Sequence, residues 1–253
     1  MKSRLLNPPV IPESRHDVTI VVQGRLSPYA LEFLPLYARF GNVILSCWET
    51  DDLALLANVD TAAIPVVLTT PPPAGCGYNY GNVLLQAITT HAGLAHVATP
   101  WALKTRCDEY YTDFGPFIAA MRGSPGKLIT NNVFFRADKV YKFHPSDHVI
   151  GGRTDAMRET FRILRDRCLS GEPAPRGQPG WMPTEALITT SFLRHLGIEA
   201  DPRRSREIMQ EHIGLVRLSQ MGRFLVACNN AGTAFTTEEE LLRQDSIASM
   251  EEL

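Results

Sequence analysis

The chain has 253 residues, of which 44% are hydrophobic, and its formal net charge at pH 7 is −2. This length allows one large domain with a sizeable core, and the near-neutral charge gives no reason to expect a nucleic-acid partner. Five cysteines without a CxxC pair argue against a disulfide framework or a zinc site, and they fit reduced thiols in a cytoplasmic protein. No apolar run approaches the ~20 residues of a membrane helix, which leaves only peripheral membrane contact open.

The first half of the chain predicts alternating strands and helices. Residues 1–16 contain prolines and no long apolar run, so we expect an N-terminal tail on the surface. Apolar runs predict buried strands at 17–24, 42–48, 64–70 and 101–108, and the segments between them predict helices at 27–41, 51–59 and 82–97. This alternation indicates an α/β sheet that is mainly parallel and has helices on both faces.

The second half has a mixed α+β pattern. It predicts helices at 114–123, 154–169, 181–197 and 238–253, and strands at 127–136, 139–144, 212–220 and 222–230. A turn-rich junction occupies 144–152, and an exposed loop rich in Gly and Pro occupies 170–180. Because no composition shift marks a linker, we predict a single domain over 17–253.

Polar residues follow the predicted strands at the edge where the carboxyl ends of a parallel sheet meet. Ligands of open α/β sheets bind beyond that edge. The residues expected there are Gln23, Gly24, Arg25, Trp48, Glu49, Gln86, Lys104, Arg106 and Asp108. Trp48 could instead pack in the core, and Gln23 could bond the backbone. The chain has no GxGxxG after the first strand and no GxxxxGK[ST] loop, which disfavours a nicotinamide oxidoreductase and a P-loop NTPase.

Lys104, Arg106 and Asp108 stand at alternate positions in the stretch KTRCD. In an extended chain, alternate side chains point to the same side. A departing nucleoside diphosphate develops negative charge, which Mg²⁺ or Mn²⁺ held by carboxylates can neutralise, and which Lys and Arg can neutralise as well. Glycosyltransferases of the GT-A type meet this need over the strand ends of such a sheet.

Four ordered pieces of the sequence, with TEALITTSFL as a fifth, resemble a known family. They are TIVVQGRL, VILSCWETDD, HAGLAHVATPWALKTRCDEYY and ITNNVFFRADKVYKFHPSDHVIGG, and the set spans about residues 18 to 192. The chain resembles the WavE lipopolysaccharide-synthesis family of glycosyltransferases. The resemblance implies a GT-A-like (Rossmann-like) domain, with a nucleotide-binding half at about 17–111 and an acceptor-side half at about 112–253.

The implied reaction moves a sugar from a nucleotide-sugar donor to a hydroxyl of a glycan acceptor, in the synthesis of lipopolysaccharide or another surface glycan. One departure from the family pattern is that Asp108 is followed by Glu109, so a full DxD motif is missing. Further ligands for a divalent metal, Mn²⁺ or Mg²⁺, are therefore sought beside Asp108 at His144 and His148.

The segment HPSDH brings His144, Asp147 and His148 together within five residues. Such a density of titratable groups in a loop favours contact with a ligand, although Asp147 could also cap a helix. Asp147 is the first candidate for the base that accepts the acceptor hydroxyl's proton, and Glu185 is the second. If one cleft holds the sugar, Asp108 and Asp147 should lie within about 10 Å of each other.

Two other functions use the same residues. A metal-dependent phosphoesterase would be built on His144, Asp147 and His148. A catalytically silent nucleotide- or glycan-binding module would bind the ligand without turnover.

Overall fold

A computed structural model describes residues 2–6, 16–174, 176–228 and 233–253. In chain order, its strands are β1 (Ser3–Leu6), β2 (Val18–Gln23), β3 (Asn42–Trp48), β4 (Val66–Thr69), β5 (Trp101–Arg106), β6 (Glu109–Tyr111), β7 (Leu128–Asn131), β8 (Ile150–Arg153), β9 (Ile213–Val216), β10 (Phe224–Cys228) and β11 (Thr233–Phe235). The α-helices are α1 (Pro28–Tyr37), α2 (Val83–Leu94), α3 (Gly115–Gly123), α4 (Thr154–Ser170), α5 (Thr184–His195), α6 (Ser205–His212) and α7 (Glu238–Leu242).

The large sheet has the strand order β1–β4–β3–β2–β5–β8–β7–β9. The pairs β4–β3, β3–β2, β2–β5 and β7–β9 are parallel, whereas β1 and β8 run antiparallel to their neighbours. A smaller antiparallel sheet joins β6, β10 and β11. The predicted class, a mainly parallel α/β sheet of Rossmann-like type, is therefore confirmed, and its GT-A-like character stays a prediction.

Helices cover both faces of the large sheet, and each face has its own apolar core. Along β2, Val21 packs with α2, α4 and α5, whereas Ile20 and Val22 pack on the opposite face with α1 and α3. This is the two-residue alternation of a strand buried on both sides. None of the described helices has the length and apolar character needed to cross a membrane.

The secondary structure of Ser3–Leu6 and of residues 139–144 differs from the sequence prediction. Ser3–Leu6, placed in the tail, is instead an edge strand whose backbone pairs antiparallel with β4. Residues 7–15 of the predicted tail lie outside the described part of the chain. The predicted strand at 139–144 is a turn segment, because Val140 and Tyr141 are exposed and no sheet face takes up their alternation.

The prediction also missed the short strands β6 and β11 and, inside the stretch taken as a turn-rich junction, β8. Its Gly151 is required by packing: a Cβ there would lie 2.5 Å from Met121 Sδ and 2.9 Å from a ring carbon of Phe117. Gly-rich composition normally indicates a turn, but here it lets α3 lie close to the sheet. The predicted division of the domain near residue 111 stays a prediction.

Candidate functional site

The candidate site lies beyond the carboxyl ends of β2 and β5. From β2 the chain builds outward through β3 and β4 and then returns to β5 on the other side of β2. The reversal opens a crevice between the two strand ends. Gln23 and Arg106, the last residues of these strands, are register partners. Because β8 runs the opposite way and pairs Ile150 with Lys104, the preceding segment 144–149 reaches this same edge.

Arg106 is the centre of an ionic cluster at this edge. Its Nε donates to Asp108 Oδ1 at 2.9 Å and its terminal nitrogen donates to Asp108 Oδ2 at 2.7 Å, while Nε also lies 3.0 Å from Glu109 Oε1. Burial opposes the charge of Arg106, but Glu109 and Asp108 outweigh it, so the pKa of Arg106 stays well above its ordinary value. The side chains of Arg106 and Asp108 keep 22% and 28% exposure, so this ion pair remains reachable from solvent.

Glu109 extends the cluster into the interior. Its carboxyl is fully buried; Tyr111 donates its hydroxyl to Oε2 at 2.7 Å, and Nδ1 of His148 contacts Oε1. Neither Glu109 nor Tyr111 was predicted as a site residue, because strict alternation would turn Glu109 away from Arg106. The turn at residues 107–108 resets the alternation and brings Glu109 back to the same side.

Lys104 holds the segment that carries the HPSDH residues. Its side chain is fully buried, and its ammonium donates to the carbonyl oxygens of Asp147 and His148, the latter at 3.3 Å. Burial lowers the pKa of Lys104 to about 8, against the opposing charge of Asp147. In this structure Lys104 therefore supports the loop beneath the cleft, instead of facing a ligand as the sequence suggested.

Asp147 is held by side chains from α2 and from its own loop. Gln86 donates its Nε2 to Asp147 Oδ2 at 2.8 Å, and His148 Nε2 lies 3.6 Å from Oδ1. Burial opposes ionisation, but the charges of His148, Lys104 and Arg106 together with the Gln86 bond keep the pKa of Asp147 below its ordinary value. Asp147 is thus a carboxylate throughout the neutral range.

Glu185 lies in the first turn of α5, beside the HPSDH loop. Its Oε2 is 3.4 Å from Nε2 of His144, whose pKa is lowered to about 4, mainly by burial. Although 18% of the Glu185 side chain is exposed, burial, followed by the negative charge of Asp147, raises its pKa to about 8. Two carboxyls with opposite pKa shifts therefore share this site, an arrangement typical of acid–base chemistry.

The contacts join most of the predicted residues into one cluster. A continuous path runs from Asp108 through Arg106, Glu109 and His148 to Asp147. Gln23 lies beside these residues, on the side of the sheet covered by α2. Its side-chain oxygen accepts a 2.6 Å hydrogen bond from the hydroxyl of Thr89 in α2. The side-chain oxygen of Gln23 therefore has a hydrogen-bond partner without a ligand or the backbone.

The remaining predicted residues form a second group at the end of β2 and β3. Gly24 has a φ of +120°, which suits glycine. Arg25 is exposed and lies 3.9 Å from Asp51, whose carboxylate accepts from the backbone N–H of Trp48. Trp48 packs in the core, and Glu49 is exposed. Their predicted contact with a nucleotide stays a prediction.

The predicted metal ligands Asp108, His144 and His148 do not converge. His144 faces Glu185, His148 faces Glu109, and Asp108 pairs with Arg106. Within the described ranges, no group of three or more His, Cys, Asp or Glu side chains is arranged to hold a metal ion. The predicted metal and the phosphoesterase alternative stay predictions.

Comparisons with known proteins identify no relative by sequence. No protein-family profile matches the chain, and no curated protein matches it. Among solved structures, it is similar to the 4-diphosphocytidyl-2C-methyl-D-erythritol synthase of Anaerococcus prevotii, with 8% identity and a TM-score of 0.44, over 90% of this chain and 96% of that one. The resemblance to the WavE family stays a prediction.

Proposed function

We propose that the protein is a glycosyltransferase that moves a sugar from a nucleotide-sugar donor to a hydroxyl of a glycan acceptor, in lipopolysaccharide or other surface-glycan synthesis. The observation that carries the proposal is the cluster at the reversal of strand order. It joins a solvent-reachable arginine–carboxylate pair, Arg106 and Asp108, to two carboxyls with opposite pKa shifts, Asp147 and Glu185. The first pair suits a diphosphate, and the second suits proton transfer from a hydroxyl.

Arg106 is the residue that we assign to the diphosphate. Its planar fork donates two parallel hydrogen bonds and matches phosphate oxygens as well as carboxylate oxygens. In the absence of ligand, Asp108 occupies that fork. A bound diphosphate would compete with Asp108 for Arg106 and free the Asp108 carboxylate.

The charge balance bears on the predicted metal. The cations Lys104 and Arg106 lie among the three carboxylates Asp108, Glu109 and Asp147, so little positive charge is left over for a diphosphate. Mg²⁺ is commonly held by one or two carboxylates together with substrate phosphates. Asp108 would be its protein ligand here, and the ion would neutralise charge on the leaving group. His144 and His148 do not join Asp108 there, since they contact Glu185 and Glu109 instead.

Glu185 is a better candidate for the base than Asp147, which the sequence favoured. A general base works best when its pKa is near the working pH. The pKa of Glu185 is about 8, whereas that of Asp147 is held low by its cationic neighbours. In the proposed step the acceptor oxygen forms a bond to the anomeric carbon, the bond from that carbon to the diphosphate breaks, and the hydroxyl proton passes to Glu185.

A thermal-shift series tests donor binding. Uridine, cytidine, guanosine and adenosine diphosphates are added with and without Mn²⁺, and one of them should stabilise the fold by about 2.7 kcal/mol at a hundredfold excess over its Kd. Arg106→Lys keeps the charge but loses the fork, so it should abolish most of the shift. Arg162→Ala, on the exposed face of α4, is the control and should behave like wild type. If no diphosphate shifts the melting temperature at millimolar concentration, the proposal fails.

A further inference from the structure

Exposed aromatic side chains occur in two segments that contact the first turn of α5. Among the side chains that the structure describes, the exposed large apolar ones are Tyr80, Val140, Tyr141 and Leu196. Tyr80 and Tyr141, 38% and 41% exposed, belong to segments that contact the start of α5. Exposed apolar groups concentrated around a polar cleft mark a ligand or partner surface.

The first wall is formed by Tyr80, Trp181 and Arg176. The rings of Tyr80 and Trp181 meet nearly at right angles, with centroids 5.7 Å apart, and the Arg176 guanidinium lies 5.2 Å from the Tyr80 centroid. Thr184, the residue before Glu185, donates its hydroxyl to the Tyr80 carbonyl at 3.5 Å. This bond places the wall directly beside the first turn of α5.

The second wall is formed by Tyr141 and His144. Their rings stack at 5.1 Å with an angle of 26°, and the same imidazole lies 3.4 Å from Glu185. Tyr141 therefore covers one side of the histidine that faces Glu185. The first turn of α5 thus contacts both aromatic walls, the first through Thr184 and the second through Glu185.

We propose that these two walls are the acceptor subsite, and that they bind pyranose rings of a glycan while presenting one hydroxyl to Glu185. This inference rests on the proposed function. One face of a pyranose carries C–H groups, which pack favourably on the electron-rich face of an aromatic ring. Arg176 adds several N–H donors that suit ring hydroxyls. Rigid aromatic surfaces with a few polar groups between them are typical of small-ligand sites.

The Tyr80 wall favours a glycan over a membrane surface. On the loop with Val140 and Tyr141, Lys142 is paired with Asp138 but Lys139 is exposed, so the second wall by itself suits either surface. The Tyr80 wall has no apolar neighbour as exposed as itself among the described residues, and its partner there is the polar Arg176.

The test is glycan binding by saturation-transfer NMR to the purified full chain, with maltohexaose, cellohexaose, chitohexaose and mannohexaose as probes. For a glycan that binds, Tyr80→Ala and Tyr141→Ala should each weaken binding about tenfold, which is ~1.4 kcal/mol. Leu196→Ala is the matched control: its side chain is equally exposed, but it lies at the far end of α5 and about 16 Å along the helix from Glu185. The diphosphate thermal shift should be the same in all three variants, which also shows that they fold.

The outcomes separate this inference from the proposed function. Tyrosine-dependent glycan binding without any diphosphate shift would sustain the subsite and defeat the transferase. A diphosphate shift without tyrosine-dependent binding of any of the four glycans overturns the subsite. Sedimentation with vesicles of phosphatidylcholine and phosphatidylglycerol that Tyr141→Ala abolishes, with no glycan signal, also overturns it and assigns the loop to a membrane.

Discussion

Glu185→Gln should change how stability depends on pH. The carboxyl has a pKa of about 8 in the folded protein and an ordinary value of 4.5, so between these values the folded state holds a proton that the unfolded state has lost. Stability must therefore fall as pH rises through this window, by about 1.4 kcal/mol per pH unit. Between pH 5 and pH 7 the loss from this one group is on the order of 2–3 kcal/mol. Glutamine keeps the shape of the neutral acid and does not titrate.

The assay is urea unfolding of wild type and Glu185→Gln at pH 5, 6, 7 and 8. The difference in unfolding free energy between the two should grow in favour of the variant as pH rises, since the loss occurs only in wild type. The subtraction removes the contributions of the other titrating groups, provided the substitution leaves them unchanged.

A control of opposite sign is Glu240→Gln. Hydrogen bonds from the backbone of Thr236 and Thr237 lower the pKa of Glu240, so its contribution to stability is present at neutral pH and is lost only as the solution becomes acidic. Its difference curve should be flat between pH 6 and pH 8. A flat curve for Glu185→Gln as well would refute the raised pKa of Glu185 and its assignment as base.

Five other variants test the site and the packing. If Glu185 is the base, the rate should rise with pH through a midpoint near 8, and Asp147→Asn should move that midpoint to lower pH, because the Asp147 charge helps to raise the pKa of Glu185; Asp108→Asn should leave the midpoint in place. Arg106→Ala should cost about 3–5 kcal/mol in urea unfolding, because it leaves buried carboxylates without their cation. Lys104→Met should cost about 1.5–3 kcal/mol by removing hydrogen bonds from a charged donor to the HPSDH loop, and a smaller loss would contradict its supporting role. Gly151→Ala should cost about 1–3 kcal/mol by overpacking against α3, and an unchanged melting temperature would refute that contact.

The central part of the fold could be predicted because its signals are local. In β2 and β3, six or seven consecutive apolar or buried residues end at a glycine or a turn, and such runs identify a buried parallel strand without tertiary information. The stripe of Met157, Phe161, Leu164 and Cys168 on α4 is likewise buried as its spacing indicates. The errors occur where tertiary pairing decides. β8 is a strand only because it pairs with β5 and β7. Its two glycines, Gly151 and Gly152, make the segment read as a turn in the sequence.

The sequence indicated where the site residues lie along the chain, but not which of them contact each other. Strand ends and the dense HPSDH segment identified Arg106, Asp108, Asp147 and their neighbours. Glu109 was missed as a partner of Arg106 because a two-residue turn after β5 changes which side it faces. The raised pKa of Glu185 could not be inferred either, because it depends on burial and on a carboxylate 38 positions away in the chain.

The most direct test of the transferase proposal is product analysis by mass spectrometry. The full chain is incubated with nucleotide sugars and oligosaccharide acceptors, and wild type should release nucleoside diphosphate and lengthen the acceptor by one sugar in equal amounts. Glu185→Gln should lose transfer while keeping the diphosphate thermal shift. Release of nucleoside diphosphate without any lengthened acceptor, or no reaction with any of the nucleotide sugars, would contradict the account.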